Sequence, residues 1–255
     1  MDKIIIDKEK CIGCGRCVKD CVDAALYLEG GKAKRRKSCI ECGHCFAICP
    51  VGAVDMPGYD TRDCGEVVPL SEIDSARFLQ GIKSRRSMRQ FKKRPVEPAK
   101  IKMILEAGQY APTAKNAQNV AFTVLTSRRA EIERACVKFF RAGVNAGSKV
   151  IPSLRDSKID DNFFFKGAPL VIVVSGYDSV DPSLASAYME LMANSLGLGV
   201  LYSGFFRACT ILNPRIKARL KLPFGHKVVT CMIFGYPAVE YKRIAPRKPR
   251  QARKV

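Results

Sequence analysis

The sequence predicts an α+β protein in two parts: a small cysteine-rich N-terminal domain, then a larger domain with a central sheet flanked by helices. Three observations lead there. Eight of the twelve cysteines fall in two runs, Cys11-x2-Cys14-x2-Cys17-x3-Cys21 and Cys39-x2-Cys42-x2-Cys45-x3-Cys49-Pro50, offset by 28 residues. From Ser71 onward the pattern changes to helices. The elements that follow read helix-helix-strand-helix-strand-helix-strand, an order too irregular for a doubly wound sheet. At 255 residues and 47% hydrophobic content, the chain can bury one large core and one small satellite.

In chain order, Ile4-Ile5-Ile6 and Val54–Met56 flank the cysteine runs and read as short strands able to pair and close the small domain. Tyr27 to Ala33 reads as a hairpin turning at Gly30-Gly31, and Lys34-Arg35-Arg36-Lys37 as a solvated loop. Proline, glycine and charges without a period mark a linker. The expected domains are therefore 1–57 and 77–255, with 58–76 between them. Ile73, Arg77-Phe78 and Ile82 fit an amphipathic helix beginning near Ser71. Glu97 to Tyr110 fits another, with Ile101, Ile104, Leu105 and Gly108 on one face. Val120–Leu125, Leu170–Val174 and Val228–Phe234 are strands by β-branched content. Glu131–Phe140 and Ser183–Leu196 are helices, the second a core or subunit-interface helix with Leu184, Tyr188, Leu191, Met192 and Ser195 at helical spacing.

Three thiolates spaced two apart wrap one corner of a cubane, and the fourth of each run is directed to the neighbouring cluster. The expected sets for two [4Fe–4S] clusters are Cys11, Cys14, Cys17 with Cys49, and Cys39, Cys42, Cys45 with Cys21. Zinc is the weaker alternative, because a third cysteine at this spacing has no role in a tetrahedral site. Disulfides would be strained at these separations. Cys21 is followed by Val22 rather than proline. His44 reads as a loop side chain, Cys64 as a spare thiol, and Cys136, Cys209 and Cys231 as buried small hydrophobes. Over residues 1–57 the duplicated unit resembles a bacterial two-cluster ferredoxin.

A second site is indicated by Arg85-Arg86-Ser87-Met88-Arg89, where guanidiniums and a hydroxyl can neutralise and hydrogen-bond a dianionic phosphate. Alone the run is an ordinary exposed charge cluster. It is accompanied by Ala111-Pro112-Thr113-Ala114-Lys115-Asn116-Ala117-Gln118 and by Gly197-Leu198-Gly199 with Ser203-Gly204-Phe205. With these segments, residues 77–255 resemble the nitroreductase family of FMN-binding oxidoreductases, and the whole chain a ferredoxin–nitroreductase fusion. The resemblance implies that Arg85, Arg86, Ser87 and Arg89 hold the FMN phosphate, joined by Arg247 and Lys248 late in the chain. It implies that Pro112, Thr113, Ala114 and Asn116 lie along the flavin ring across a homodimer interface. Leu201, Tyr202, Ser203 and Gly204 would place backbone groups near the flavin N5 edge, and Asp161 or Asn162 would serve the pyrimidine edge. The family commonly continues Asn-x-Gln with Pro-Trp, where this chain has Asn119-Val120. The chain has no tryptophan, so its pocket wall differs. Phe163-Phe164-Phe165, Tyr202, Phe205 and Phe206 are candidate lining residues, against a plain core role.

Other classes fit less well. Gly197-x-Gly199-x4-Gly204 follows a helix and lacks dinucleotide spacing, which leaves NAD(P)H use open. No Ser-His-Asp or Cys-His arrangement is visible, and His226 reads as a loop residue. The net charge of +20 is uneven: residues 1–64 carry 11 Lys/Arg and 10 Asp/Glu, residues 65–255 carry 33 and 14. No basic-aromatic module or helix-turn-helix signature points to nucleic acid. No apolar run reaches membrane-spanning length, and the charged N-terminus is unlike a signal peptide. Reduced thiolates suggest the cytoplasm.

The expected activity passes single electrons from the clusters to FMN, and pairs from FMN to a small organic acceptor such as a nitroaromatic, quinone or activated alkene. The external donor would be reduced ferredoxin, flavodoxin or NAD(P)H. The alternatives are an electron-transfer protein relaying between a redox carrier and a larger partner, and a zinc-binding nucleic-acid protein.

Overall fold

The computed structural model describes residues 4–36, 39–61, 64–65, 67–147, 158–248 and 253. Its contacts divide the chain into two units: Met1–Ile73 with Thr113–Ala117, and Asp74–Pro112 with Gln118–Val255. Lys37, in the basic loop after the hairpin, lies outside the described residues.

The first unit repeats one motif twice. Strand β1 (Ile5–Ile6) pairs antiparallel with β4 (Val54–Asp55), so the two ends of the duplication close on each other as expected. The hairpin β2 (Leu26–Glu29) and β3 (Lys32–Arg35) turns at Gly30 and Gly31, both at positive φ. Each cysteine run carries one short helix, α1 (Arg16–Lys19) and α2 (His44–Ala47). Each helix starts from a left-handed glycine, Gly15 at φ 72° and Gly43 at φ 77°. The first loop needs a second glycine. A Cβ on Gly13 would sit 1.9 Å from the Gly31 carbonyl oxygen, because the hairpin turn packs directly on the loop. The duplicated position is Glu41, also left-handed at φ 57°. The core is Ile4, Leu26, Ala33, Ala53, Val54 and Met56 with Cys11, Cys17 and Cys45. By its contacts the segment Thr113–Ala117 belongs here: Asn116 Nδ2 donates to Glu41 O at 2.8 Å and to Ile40 O at 3.4 Å.

The second unit is a four-stranded antiparallel sheet in the order β5-β6-β8-β7, flanked by helices. Its strands are β5 (Ala121–Leu125), β6 (Leu170–Gly176), β7 (Gly199–Tyr202) and β8 (Lys227–Gly235). All seven residues of β6 are buried, which explains its run of β-branched residues without polar alternation. Each fully buried Val or Ile there contributes about 1.5–3 kcal/mol. One face of the sheet packs on α5 (Arg129–Gly147), α7 (Gly204–Leu212) and α8 (Pro214–Ala218) through Ile132, Val137, Phe206, Cys209 and Ile216. The other carries α4 (Pro98–Gln109) and α6 (Val180–Ser195) through Ile104, Met189 and Ala193. Among the described residues no helix is long and apolar enough to cross a membrane.

Three expectations need correction. The first helix of this unit, α3 (Ser75–Ser84), starts later than Ser71, because Asp74 caps it by accepting from Arg77 N at 3.0 Å. Residues Leu70–Glu72 form a separate 3-10 turn. The core face of α6 is Ala185, Met189 and Ala193. Leu184 and Tyr188, expected in the core or at a subunit interface, are 39% and 43% exposed and so lie outside the core. His226 lies in the loop before β8, as expected, and is buried there, with Nδ1 3.3 Å from Ser175 Oγ. Finally, β7, α7 and α8 were not anticipated. Their apolar residues lie in a stretch too short, and too interrupted by Gly204 and Pro214, to show a clear period.

Candidate functional site

The cysteines meet across the duplication. Cys11, Cys14, Cys17 and Cys49 line one small cavity with Arg16 at its rim, so the last thiol of the second run joins the first three of the first. This pairing is the one expected from spacing. The second run places Cys39 and Cys42 close enough to Cys45 to add to the cost that burial sets on ionising it. Among the described residues no three His, Cys, Asp or Glu side chains converge on a point that one ion could occupy.

Backbone amides already point at the sulfurs, and one pair of these contacts is repeated by the duplication. Ala25 N donates to Cys21 Sγ at 3.3 Å, and its duplicate Ala53 N to Cys49 Sγ at 3.2 Å. Glu41 N donates to Cys39 Sγ at 3.2 Å and Ala33 N to Cys11 Sγ at 3.4 Å. The Ala33 amide, then that of Gly13, holds the Cys11 thiol below its ordinary range, and the Lys32 ammonium adds to this. Burial pushes Cys45 up to about 11, with the Cys39 thiol adding. A buried thiol of that kind ionises only against a cationic ligand. Donor type and N–H···S support therefore fit an iron–sulfur group.

In the second unit the arginine run is extended rather than helical. Met88 N donates to Val200 O at 2.8 Å, and Ser87 bridges Val200 in parallel, so the run lies along the free edge of β7. Gly199 permits this approach: a Cβ there would come within 2.7 Å of the Met88 side chain. The arginines of the run divide between two cavities. Arg89 lines a cavity of about 560 Å³ with Phe163, Phe164, Lys166, Leu201, Tyr202, Ser203, Gly204 and Phe205. Arg85 and Arg86 line a separate cavity of about 480 Å³ with Met88, Asn194 and Gly199. Arg85 is already paired, its Nη1 lying 2.8 Å from Glu190 Oε1 on α6.

The Arg89 cavity falls within the size range of small-molecule and cofactor sites. One wall is an edge-to-face aromatic cluster, with Phe163 centred 5.2 Å from both Phe164 and Phe205. The adjoining end is where β7 turns into α7. Ser203 N is held by Cys231 O at 2.8 Å, and the first turn of α7 presents N–H groups with no partner within the helix. Tyr202 donates its hydroxyl to Ser186 O at 3.0 Å. Burial pushes its pKa up, and the charge of Glu190 adds to this. The cluster is held from behind by buried Glu133, whose Oε1 accepts from Phe165 N at 2.8 Å.

The remaining expected residues are scattered. Phe165 and Phe206 go into the core. Asp161 pairs with Arg141 at 2.8 Å and lines a different depression, and Asn162 is exposed. Pro112 belongs to the second unit, whereas Thr113, Ala114 and Asn116 belong to the first. Arg247 and Lys248 are exposed and outside any helix or strand. Glu190 and Lys166 were missed; a lone carboxylate in an otherwise apolar stretch of α6 was the available signal for the former.

One unit thus brings cysteine thiols of both runs to a small cavity, and the other holds a cation-edged aromatic cavity. Residues 82–236 match the nitroreductase family and residues 3–50 a 4Fe-4S dicluster domain. The chain belongs to the nitroreductase family, with an iron–sulfur domain preceding the family's own. Among solved structures, a Bacteroides fragilis nitroreductase with bound FMN is 23% identical, covering 71% of this chain and 96% of its own, with a TM-score of 0.51. An FMN-dependent nitroreductase of Clostridium difficile is 18% identical, over 71% of this chain and 100% of its own, at 0.56. A Desulfitobacterium hafniense nitroreductase with bound FMN is 22% identical, over 69% and 98%, at 0.56. These likenesses establish the shared fold. No curated protein matches the chain.

Proposed function

We propose that this chain is an FMN-dependent oxidoreductase that takes single electrons through two [4Fe–4S] clusters and delivers them in pairs to a small organic acceptor, such as a nitroaromatic, quinone or activated alkene. The observation that carries the reading is the cavity in which Arg89 faces Phe163, Phe164, Phe205 and the Ser203–Gly204 backbone, on a scaffold whose solved relatives include FMN-bound proteins. FMN, when bound, supplies the exchange between one-electron and two-electron chemistry. The chain's residues do the rest. Arg89 neutralises negative charge at the cavity's edge, the phenylalanines exclude water, and the start of α7 offers N–H donors to an electron-rich edge. Arg85, Arg86, Ser87, Arg247 and Lys248 are assigned to the phosphate. Thr113, Ala114 and Asn116 are assigned to the partner-side wall of the ring.

The eight cysteines are assigned to two clusters, one held by Cys11, Cys14, Cys17 and Cys49, the other by Cys39, Cys42, Cys45 and Cys21. A homodimer is part of the reading: Leu184 and Tyr188 on α6 and Met103 on α4 leave apolar surface exposed. The protein is placed in the cytoplasm, where its thiolates stay reduced. The test is anaerobic. Iron, sulfide and flavin per chain are measured, and NADH, NADPH and reduced ferredoxin are compared for their ability to bleach the spectrum. Protein without iron, or without flavin, overturns the reading.

A further inference from the structure

The duplication supplies an internal comparison, because every position in the first cysteine run has a counterpart 28 residues later. The two loops share backbone geometry but differ in cover. Cys14 is exposed, whereas its counterpart Cys42 is half-buried. Ile12 is 62% exposed, whereas Ile40 is half-buried. The difference has a visible cause on the second loop, where Asn116 donates to the Ile40 and Glu41 carbonyls.

Charge divides the same way. Residues 4–36 carry eight Lys/Arg against five Asp/Glu, and residues 39–61 carry none against three. The helix beside the open loop presents Arg16 and Lys19, both exposed; the matching positions are His44 and Ala47. Lys32 adds a third cation, donating from Nζ to Cys11 O at 2.5 Å. The helix beside the open loop thus carries exposed cations that the helix beside the covered loop lacks.

We propose that the face around Cys14, Arg16 and Lys19 is where an acidic one-electron carrier protein docks and delivers electrons to the cluster of Cys11, Cys14, Cys17 and Cys49. This rests on the cluster-to-flavin reading above and specifies its donor and its point of uptake. Each docking event moves one electron: the reduced carrier leaves oxidised, and the cluster is reduced by one. Two events supply the pair that a two-electron acceptor consumes, with its protons taken from water. Cations flanking an exposed ligand steer an acidic partner and shorten the electron's path, and the steering weakens with salt.

The test uses the full chain with its clusters loaded, under anaerobic stopped flow. The probe is a reduced acidic [2Fe–2S] ferredoxin, and the readout is the second-order rate of cluster bleaching. Arg16→Glu with Lys19→Glu should slow that rate by about tenfold or more at low salt, a difference that shrinks at high salt. The same exchange at the duplicated positions, His44→Glu with Ala47→Glu, should leave it within about twofold of the parent. Iron and sulfide per chain report assembly. If the double variant loads poorly, Lys19→Glu alone, away from the cavity lining, carries the same comparison. The proposal is overturned if the ferredoxin does not reduce the parent protein, if both reversals slow it equally, or if only the second pair does. Dithionite needs no docking surface and separates the two claims. Flavin that dithionite-reduced clusters cannot reduce defeats the underlying reading. Flavin so reduced, with carrier rates indifferent to Arg16 and Lys19, defeats the docking face alone.

Discussion

Replacing Gly13 with alanine should empty one cluster site and leave the other. Gly13 stands at φ 66°, where an added Cβ would lie 1.9 Å from the Gly31 oxygen and 2.8 Å from its carbonyl carbon. Real Cβ contacts do not fall below 3.0 Å, so the hairpin turn must retreat by more than an ångström. The left-handed backbone costs alanine about 1–2 kcal/mol. Overpacking against a backbone atom adds about 1–3 kcal/mol. The sum, about 2–5 kcal/mol, is a large share of the roughly 4–12 kcal/mol expected for a unit of this size. The retreat also pulls Ala33 N from Cys11 Sγ and Lys32 from Cys11 O, both on the strand that follows the turn. Iron should therefore fall from about eight to about four per chain. Glu41→Ala, at the duplicated position with similar backbone but no such clash, should stay within about 0.5 kcal/mol of the parent. Iron analysis, cluster spectroscopy and urea unfolding measure this. A Gly13→Ala protein with full iron and unchanged stability would refute the packing argument.

Other consequences are accessible to simpler assays. Arg85→Ala with Arg89→Ala should weaken flavin binding by about tenfold to a hundredfold per lost charge-assisted hydrogen bond and leave iron unchanged; normal flavin content would remove both from the phosphate assignment. Glu190→Ala strands the half-buried Arg85 guanidinium and should cost about 1–3 kcal/mol in urea unfolding, with Glu190→Gln costing less. Burial raises the pKa of Glu133 above its ordinary 4.5. Its contribution to stability is therefore fully present below the unfolded value and lost as pH rises through the folded one. Glu133→Gln keeps the acceptor for Phe165 N and lacks the charge, so it should gain stability relative to the parent as pH rises from 4.5 through the folded-state value. A constant difference in melting temperature across that window would contradict this.

The duplicated cysteine runs were fully legible in the chain, because ligand chemistry depends on short spacing and on residues that alternatives cannot imitate. The closing strand pair, the Gly30-Gly31 hairpin and the three long strands were equally legible, each being local in pattern and marked by its own turn or β-branched run. Edge strand β7 was not, since its four residues between a helix and a glycine carry no period. The faces of α6 were misjudged for a related reason: its apolar residues lie all round, and only the sheet decides that Met189 rather than Tyr188 is covered.

Residue type and interval alone determined that this chain carries iron–sulfur thiolates ahead of a flavin-type α+β domain. Tertiary structure alone decided that the arginines of one run part company and that one of two near-identical loops is covered. Those outcomes depend on groups far apart along the chain, such as Asn116 on Glu41 or Glu190 on Arg85.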